Sequence, residues 1–279
     1  MKDEEYSKIK PFLRWAGGKN WLIKQLDTIL PIPKFNNYHE PFLGGGSIFI
    51  NLKSLGYIKR AAFLSDQNKE LINSYNVIKT ELEPLVELLK NFRNEREFYY
   101  YIRDRNYTSN IERAAQFIFL NRTSFNGIYR VNLRGEYNVP YGSKNYKMLF
   151  DFENFDRLRQ LFENSVFESI DFEEALYKIE RNDLVFLDPP YTVAHENNGF
   201  IKYNQKIFAW EDQERLLNYI EVIKSKQAYF ILTNAAHDNI DNLFKKIGRK
   251  IIITRYSVIG GKGADRKQIN EYLYTNCNI

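Results

Sequence analysis

Asp183-Leu184-Val185-Phe186-Leu187-Asp188-Pro189-Pro190-Tyr191 reads as an apolar strand running into a rigid turn. A short, unbroken apolar run is what a strand buried on both faces of a parallel sheet requires. Ligands of open α/β sheets gather outside the carboxyl ends of such strands, and Asp188 falls at that end. Each proline fixes its own φ and holds the preceding residue extended. The turn therefore presents a carboxylate, a proline carbonyl with no N–H beside it, and an aromatic ring in fixed order. A strand-ending Asp-Pro turn is common in itself. The full four-residue string is expected by chance in only about one unrelated chain of this size in a thousand.

Outward from this turn, strands and helices alternate at both ends of the chain. Residues 38–40 end a short strand, and 47–55 follow as a helix with Ser47 as N-cap and Gly56 as stop. Residues 61–64 form a second buried strand that ends at Ser65-Asp66, and 68–79 has helical spacing. After Asp151, strands are expected over 165–169, 183–187, 228–233, 250–254 and 271–275. Helices are expected over 171–179, 211–224 and 238–246. Such alternation predicts an α/β fold with a mostly parallel sheet covered on both faces. The middle differs. Residues 81–120 are helical throughout, and 121–142 are dense in Asn, Arg, Gly and Tyr. Two β-like runs there, 128–132 and 136–139, flank Leu133-Arg134-Gly135 as a hairpin. The expected organisation is a catalytic and cofactor-binding domain over 1–67 and 145–279. A mainly helical target-recognition subdomain carrying the hairpin, 68–144, is inserted in it.

The composition excludes several classes. Within 279 residues no apolar run approaches the roughly 18–20 a membrane span needs. The segment 1–10 is charged and lacks an apolar signal core, so no membrane association and a cytoplasmic location are expected. The single cysteine, Cys277, allows no internal disulfide and has no motif around it. His39, His195 and His237 have no metal-ligand spacing, and no metal is expected. The net charge of +5 and the 16% of aromatic residues, many beside Arg, Lys or Asn, suit a polyanionic partner whose bases can stack.

The turn's residues fit chemistry on an exocyclic amine. Such a nitrogen is a poor nucleophile because its lone pair is delocalised into the ring. Acceptors aimed at its two hydrogens draw it toward tetrahedral geometry, and Asp188 and the Pro189 carbonyl can supply them. Tyr191 can stack on the base. Upstream, Glu40-Pro41-Phe42-Leu43-Gly44-Gly45-Gly46-Ser47 lies between a strand and a helix, with three glycines that let a ligand approach the backbone. Asp66 ends the next strand, where a carboxylate can take ribose hydroxyls. Gly18-Lys19 is not a Walker loop: Arg14 stands where its glycine should be, and Asn20 where its Ser or Thr should be.

Taken together, these motifs resemble the Dam-type (alpha-class, D12) DNA adenine-N6 methyltransferases. The likeness runs through Arg14-Trp15-Ala16-Gly17-Gly18-Lys19, Glu40–Ser47, Ser65-Asp66-Gln67-Asn68, the hairpin 121–142 and Asp188–Tyr191, in that order. It implies a Rossmann-like, S-adenosylmethionine-dependent methyltransferase sheet with an antiparallel final strand. Asp188, Pro189, Pro190 and Tyr191 would be catalytic. The resemblance assigns cofactor binding to Trp15, Ala16, Gly17, Gly18, Lys19, Glu40, Pro41, Phe42, Gly44, Gly45, Gly46, Ser47, Asp66 and Asp188. Within the cofactor, it puts the amino-acid and adenine parts on Trp15 and Lys19. Contacts to double-stranded DNA would come from Arg14, Asn126, Gly127, Ile128, Arg130, Asn132, Arg134, Asn138 and Pro140. Arg130 would read a guanine edge, and the matches favour a target containing G-A-T. The stretch 192–200 looks more like that of restriction-system methyltransferases, which makes a cognate restriction endonuclease a candidate partner of an otherwise monomeric enzyme. The glycine-rich basic loop 260–267 is a further candidate backbone contact. Two other readings stay open: an amino-methyltransferase acting on cytosine N4, RNA or protein, and an inactive DNA-binding regulator.

Overall fold

The computed structural model describes residues 9–15, 17–19, 21–22, 33–132, 134–192, 208–256 and 268–277. The expectations for Ala16, for 193–200 and for 260–267 lie outside the described residues, as do Asn20 and Leu133. Seven strands are seen: β1 (Tyr38–Glu40), β2 (Ala62–Ser65), β3 (Ser165–Glu168), β4 (Leu184–Leu187), β5 (Tyr229–Ala235), β6 (Arg249–Tyr256) and β7 (Gln268–Thr275). They form one sheet of order β3-β2-β1-β4-β5-β7-β6. β1 runs parallel to β2 and β4, and β4 parallel to β5. β7 runs antiparallel between β5 and β6. The sheet is thus mostly parallel with an antiparallel final strand, as the resemblance implies.

The described helices are α1 (Ser47–Ser54), α2 (Lys69–Thr80), α3 (Leu82–Lys90), α4 (Arg96–Arg103), α5 (Asn110–Thr123), α6 (Phe152–Leu161), α7 (Trp210–Ser225) and α8 (Asp238–Phe244). Tighter 3-10 turns occupy Phe125–Gly127 and Phe172–Lys178. Three of the eight described α-helices start at a side-chain cap: α2, α6 and α8. The Asn68 side chain accepts the N–H groups of Glu70 and Leu71, and Asp151 accepts that of Asn154. α1 departs from expectation: Gly46, at φ +64°, is its N-cap, and Ser47 is the first helical residue. The Ser47 hydroxyl instead accepts the Lys19 N–H at 3.2 Å. Gly56, at φ +77°, ends this helix as expected, its N–H donating to Lys53 O. α6 had no counterpart among the expected elements; it buries Phe155 and Leu158.

Contacts group the chain into two compact units. One comprises Met1–Gln25, Leu43–Lys59 and Asp66–Ser169; the other comprises Leu26–Phe42, Arg60–Ser65 and Ile170–Ile279. In the first, α2 packs on α5, α6 and β3. Its core holds an aromatic cluster in which Tyr75 stacks on Phe167 at 4.9 Å and Phe162 meets Phe167 edge-on at 5.0 Å. In the second, Val185 and Leu187 of β4 and Phe230 and Leu232 of β5 share a core with Leu216, Tyr219 and Ile220 of α7 and Phe244 of α8. Each such side chain contributes about 1.5–3 kcal/mol on burial. All four residues of β4 are buried, as the unbroken apolar run requires.

A buried polar pair closes the start of β4. His39 Nε2 and Asp183 Oδ2 lie 2.8 Å apart, both inaccessible to solvent. Asp183 also accepts the N–H groups of Asn37 and Glu180. Burial alone would raise its pKa; the hydrogen bonds from His39, Asn37 and Glu180 outweigh that and hold the carboxyl below its ordinary range.

The hairpin is present, but as isolated bridges at Val131–Tyr137 and Ser124–Tyr141 rather than as two strands. Asn132 N–H donates to Glu136 O and Asn138 N–H to Arg130 O. The ladder stays short for a local reason. The Asn132 side chain takes the N–H groups of Arg134 and Glu136, at 2.9 and 3.0 Å, and bends the chain there. Pro140 has no N–H to offer.

Candidate active site

At the end of β4 the carboxylate of Asp188 is held from one side. Thr233 Oγ1, on β5, donates to Asp188 Oδ1 at 2.7 Å. A hydrogen bond to a charged acceptor is worth about 1.5–3 kcal/mol. It also limits rotation of the group. Pro189 is buried. Tyr191 is half-buried, and its hydroxyl donates to Glu271 Oε2 on β7 at 2.8 Å. Behind the turn runs a chain of buried amides and a hydroxyl. Asn234 Nδ2 donates to Gln213 Oε1 at 3.0 Å, Gln213 Nε2 to Thr192 Oγ1 at 2.9 Å, and Thr192 Oγ1 to Phe208 O at 3.1 Å. Gln213 and Asn234 have no solvent exposure. A buried amide left without its partner costs about 1–3 kcal/mol, so this chain holds the turn stiffly.

Glu40, Pro41 and Phe42 belong to the same unit. Glu40, at the end of β1, is buried and accepts the Tyr38 hydroxyl at 2.7 Å. Burial, reinforced by the neighbouring Glu40 charge, pushes the Tyr38 pKa well above its ordinary value, so it remains a donor. Phe42 packs on Phe172 and Phe208, with centroids at 5.2 and 5.6 Å.

In the other unit the glycine turn, the N-terminal motif and Asp66 meet. Gly44 N–H donates to Asp66 Oδ2 at 3.0 Å and Asn68 N–H to Asp66 Oδ1 at 2.9 Å. Each carboxylate oxygen accepts one backbone N–H and keeps acceptor capacity for a hydroxyl. Burial raises the Asp66 pKa, and the two backbone donors offset only part of that. A Cβ at Gly44 or Gly45 would lie 2.8 or 2.9 Å from Trp15 side-chain atoms, and one at Gly46 would lie 2.6 Å from the Tyr75 hydroxyl. Gly44 and Gly46 also have positive φ, so this turn requires glycine on two counts. Lys19 is buried, its ammonium donating to Gly17 O at 3.2 Å, while Gly17 and Gly18 are exposed. The space a Cβ would take at Gly44, Gly45 and Gly46 is thus filled by Trp15 and Tyr75 of the protein itself, while the Asp66 carboxylate beside them keeps the acceptor capacity that the hydroxyls of a nucleoside need.

The residues expected to read DNA divide into two sets. Asn126 (φ +56°), Arg130, Arg134, Asn138 and Pro140 are exposed, and Ile128 is half-buried. Arg130 Nε donates to Asn138 Oδ1 at 2.8 Å, so the two side chains hold each other on the surface. The others are engaged within the protein. Asn132 closes the hairpin turn, and Gly127 is buried where a Cβ would meet Arg14 Cδ at 2.6 Å. The Arg14 guanidinium lies 5.3 Å from the Tyr146 ring, whose neighbour Arg122 sits at 4.5 Å.

Thr233, Glu271, Gln213 and Asn234 were missed in the sequence. Their signal was there: polar residues inside or at the end of otherwise apolar strands and on the core face of a helix. Their partners are far off in sequence, and no local spacing names them.

Residues 15–258 match the model of the D12 class N6 adenine-specific DNA methyltransferases. The chain is 34% identical to the type II methyltransferase M1.LlaDCHI of Lactococcus lactis, over 96% of this chain and 95% of that one. It is also 34% identical to the type II methyltransferase M.MjaIII of Methanocaldococcus jannaschii, over 96% and 99%. It is 30% identical to the DNA adenine methylase of Escherichia coli, over 95% of each. The chain belongs to the D12 class of adenine-specific DNA methyltransferases.

Proposed function

We propose that this enzyme transfers a methyl group from S-adenosylmethionine to N6 of an adenine flipped out of double-stranded DNA, at a site containing G-A-T. The observation that carries the reading is the Asp188 carboxylate at the end of β4, fixed by Thr233 beside a tyrosine anchored on Glu271. Asp188 and the Pro189 carbonyl accept the two amine hydrogens and localise the nitrogen lone pair. Tyr191 stacks on the extruded base, which a duplex otherwise hides. The cofactor supplies an electrophilic methyl group on a sulfonium. Catalysis is then positioning for in-line transfer plus stabilisation of the charge that builds on the amine.

Asp66 would accept the ribose hydroxyls, and Trp15, Lys19, Glu40 and the turn Gly44–Ser47 would line the rest of the cofactor. Residues 68–144 would serve as the target-recognition subdomain within a domain made of 1–67 and 145–279. Arg130 and Asn126 would meet the base pairs around the adenine, and Arg134 a phosphate. The names of two relatives as type II methyltransferases favour a modification role beside a cognate restriction endonuclease. A monomer suits a protein that engages one adenine at a time, and a cytoplasmic setting suits both roles. The test is incubation with labelled S-adenosylmethionine and genomic DNA, followed by sequencing with modification detection. N6-methyladenine within one recurrent G-A-T-containing site is the expected result. Absence of N6-methyladenine refutes the reaction, and a recurrent site without G-A-T refutes the target.

A further inference from the structure

Trp15 is packed between two parts of the first unit that have different tasks in the proposed reaction. Its indole lies against Gly44 and Gly45, where an added Cβ would come within 2.8 and 2.9 Å of it. Its ring also stacks on Tyr129 of the hairpin, with centroids 5.7 Å apart and planes 21° apart. Tyr129 lies in turn 5.2 Å from Phe117 of α5 and 5.7 Å from Tyr137 across the hairpin. In extended backbone, neighbouring side chains leave on opposite faces. Tyr129 is thus turned onto Trp15, while Arg130 beside it is exposed.

The backbone makes the same link. Asn121 of α5 accepts the Arg14 N–H and donates to Arg14 O, both at 2.8 Å, and donates to Gly127 O at 3.3 Å. The Arg14 side chain fills the space above Gly127, where no Cβ would fit. Residues 14–15 are therefore keyed to 127–130 by one ring stack and one buried amide. Displacing Trp15 shifts the segment that carries Ile128 and Arg130, because close-packed contacts of this kind transmit shifts.

We propose that Tyr129 is a positioning residue that couples cofactor occupancy to target reading. A cofactor seated at Gly44–Gly45 holds Trp15, Trp15 holds Tyr129, and the segment with Ile128 and Arg130 is presented in one position. By linkage, bound target DNA tightens cofactor binding by the same factor. The inference rests on the methyltransferase reading above and adds a regulatory contact to it.

The test uses the full chain, a duplex bearing the site it methylates, and sinefungin, which resembles the cofactor but has no transferable methyl. Duplex affinity is measured with and without sinefungin for wild type, Tyr129→Phe, Tyr129→Leu and Tyr129→Ala. Sinefungin affinity without DNA is measured for each. In wild type, sinefungin should tighten duplex binding roughly five-fold or more. Tyr129→Phe should keep most of that factor. Tyr129→Leu and Tyr129→Ala should bring it near one while binding sinefungin alone as wild type does. An unchanged factor in Tyr129→Leu overturns the proposal, whether or not the alanine variant folds. So does a factor near one in a wild type that methylates DNA. Failure of the underlying reading looks different: wild type would methylate no DNA at all.

Discussion

The turn Asp188–Thr192 and the hairpin 121–142 are built on opposite plans. The turn is braced by side chains on three other elements: Thr233 on β5 at Asp188, Glu271 on β7 at Tyr191 and Gln213 on α7 at Thr192. Those contacts are buried or half-buried and span many residues of sequence. The hairpin has two isolated bridges, an Asn-closed turn and an Arg130–Asn138 pair on its surface. Its attachment comes from rings on its inner side, Tyr129 and Tyr137, and from Tyr99, whose hydroxyl donates to Val139 O at 2.8 Å. The difference suits the roles proposed for the two. Chemistry on an amine needs two acceptors held to a fraction of an ångström. Reading DNA needs exposed donors that can exchange protein partners for base edges and phosphates.

This contrast can be broken, starting with the largest effect. Asp188→Ala should lower the single-turnover methylation rate by on the order of 1,000-fold, the scale seen when a preorganised electrostatic group is removed. Sinefungin binding should remain measurable by calorimetry. Substantial turnover by this variant would remove Asp188 from the chemistry.

Asp183→Ala probes the far end of the same strand. It leaves His39 without its buried partner and should cost about 3–5 kcal/mol in thermal or denaturant unfolding. The pH dependence has a definite sign. The folded pKa of Asp183 is depressed, so its stabilisation is fully present above its unfolded pKa of about 3.9 and is lost as pH falls through the lower folded value. Melting curves of wild type and Asp183→Asn should therefore converge in acid. A gap that persisted there would mean the pair stabilises by packing alone.

Thr233→Val keeps the shape of the side chain and removes the donor to Asp188. A loss of about 1.5–3 kcal/mol corresponds to roughly a 10- to 100-fold fall in kcat. KM for the cofactor should hold, and Thr233→Ser should restore most of the rate. A matching fall in the serine variant would point to packing instead.

On the hairpin the effects should be smaller and of another kind. Arg130→Ala should leave the melting temperature in place and lower discrimination between the target and a single-base variant by about 1–3 kcal/mol. Unchanged relative rates on the two duplexes would remove Arg130 from base reading. Arg134→Ala should weaken binding to all duplexes alike and reduce the slope of log K against log salt by about one. A change in site preference there would make Arg134 a reader of bases.

Most of the architecture was legible without coordinates, because it is written in short-range pattern. The run 184–187 reads as an apolar strand and is one, buried throughout, and Gly44 and Gly46 sit where φ is positive. The helical spacing of 68–79 is borne out, with Asn68 as the cap of a helix over Lys69–Thr80. Where local pattern misled, a distant group had intervened. Ser47 looks like an N-cap, yet its hydroxyl serves Lys19, and a left-handed Gly46 takes the capping position. Asn132, which the resemblance assigns to DNA, also closes the turn with its side chain.

The amino-acid sequence by itself determined the strand-to-turn placement of Asp188–Tyr191, the glycine cradle, the hairpin and, through their order, the family. These depend on residue type and on spacings within a few turns of chain. Only the tertiary structure decided which groups brace them: Thr233 on Asp188, Glu271 on Tyr191, Trp15 between Gly44–Gly45 and Tyr129. The physical reason is that a buried hydrogen bond or ring stack has no sequence spacing. Its partners are set by strand register and helix packing, which exist only once the whole chain has condensed.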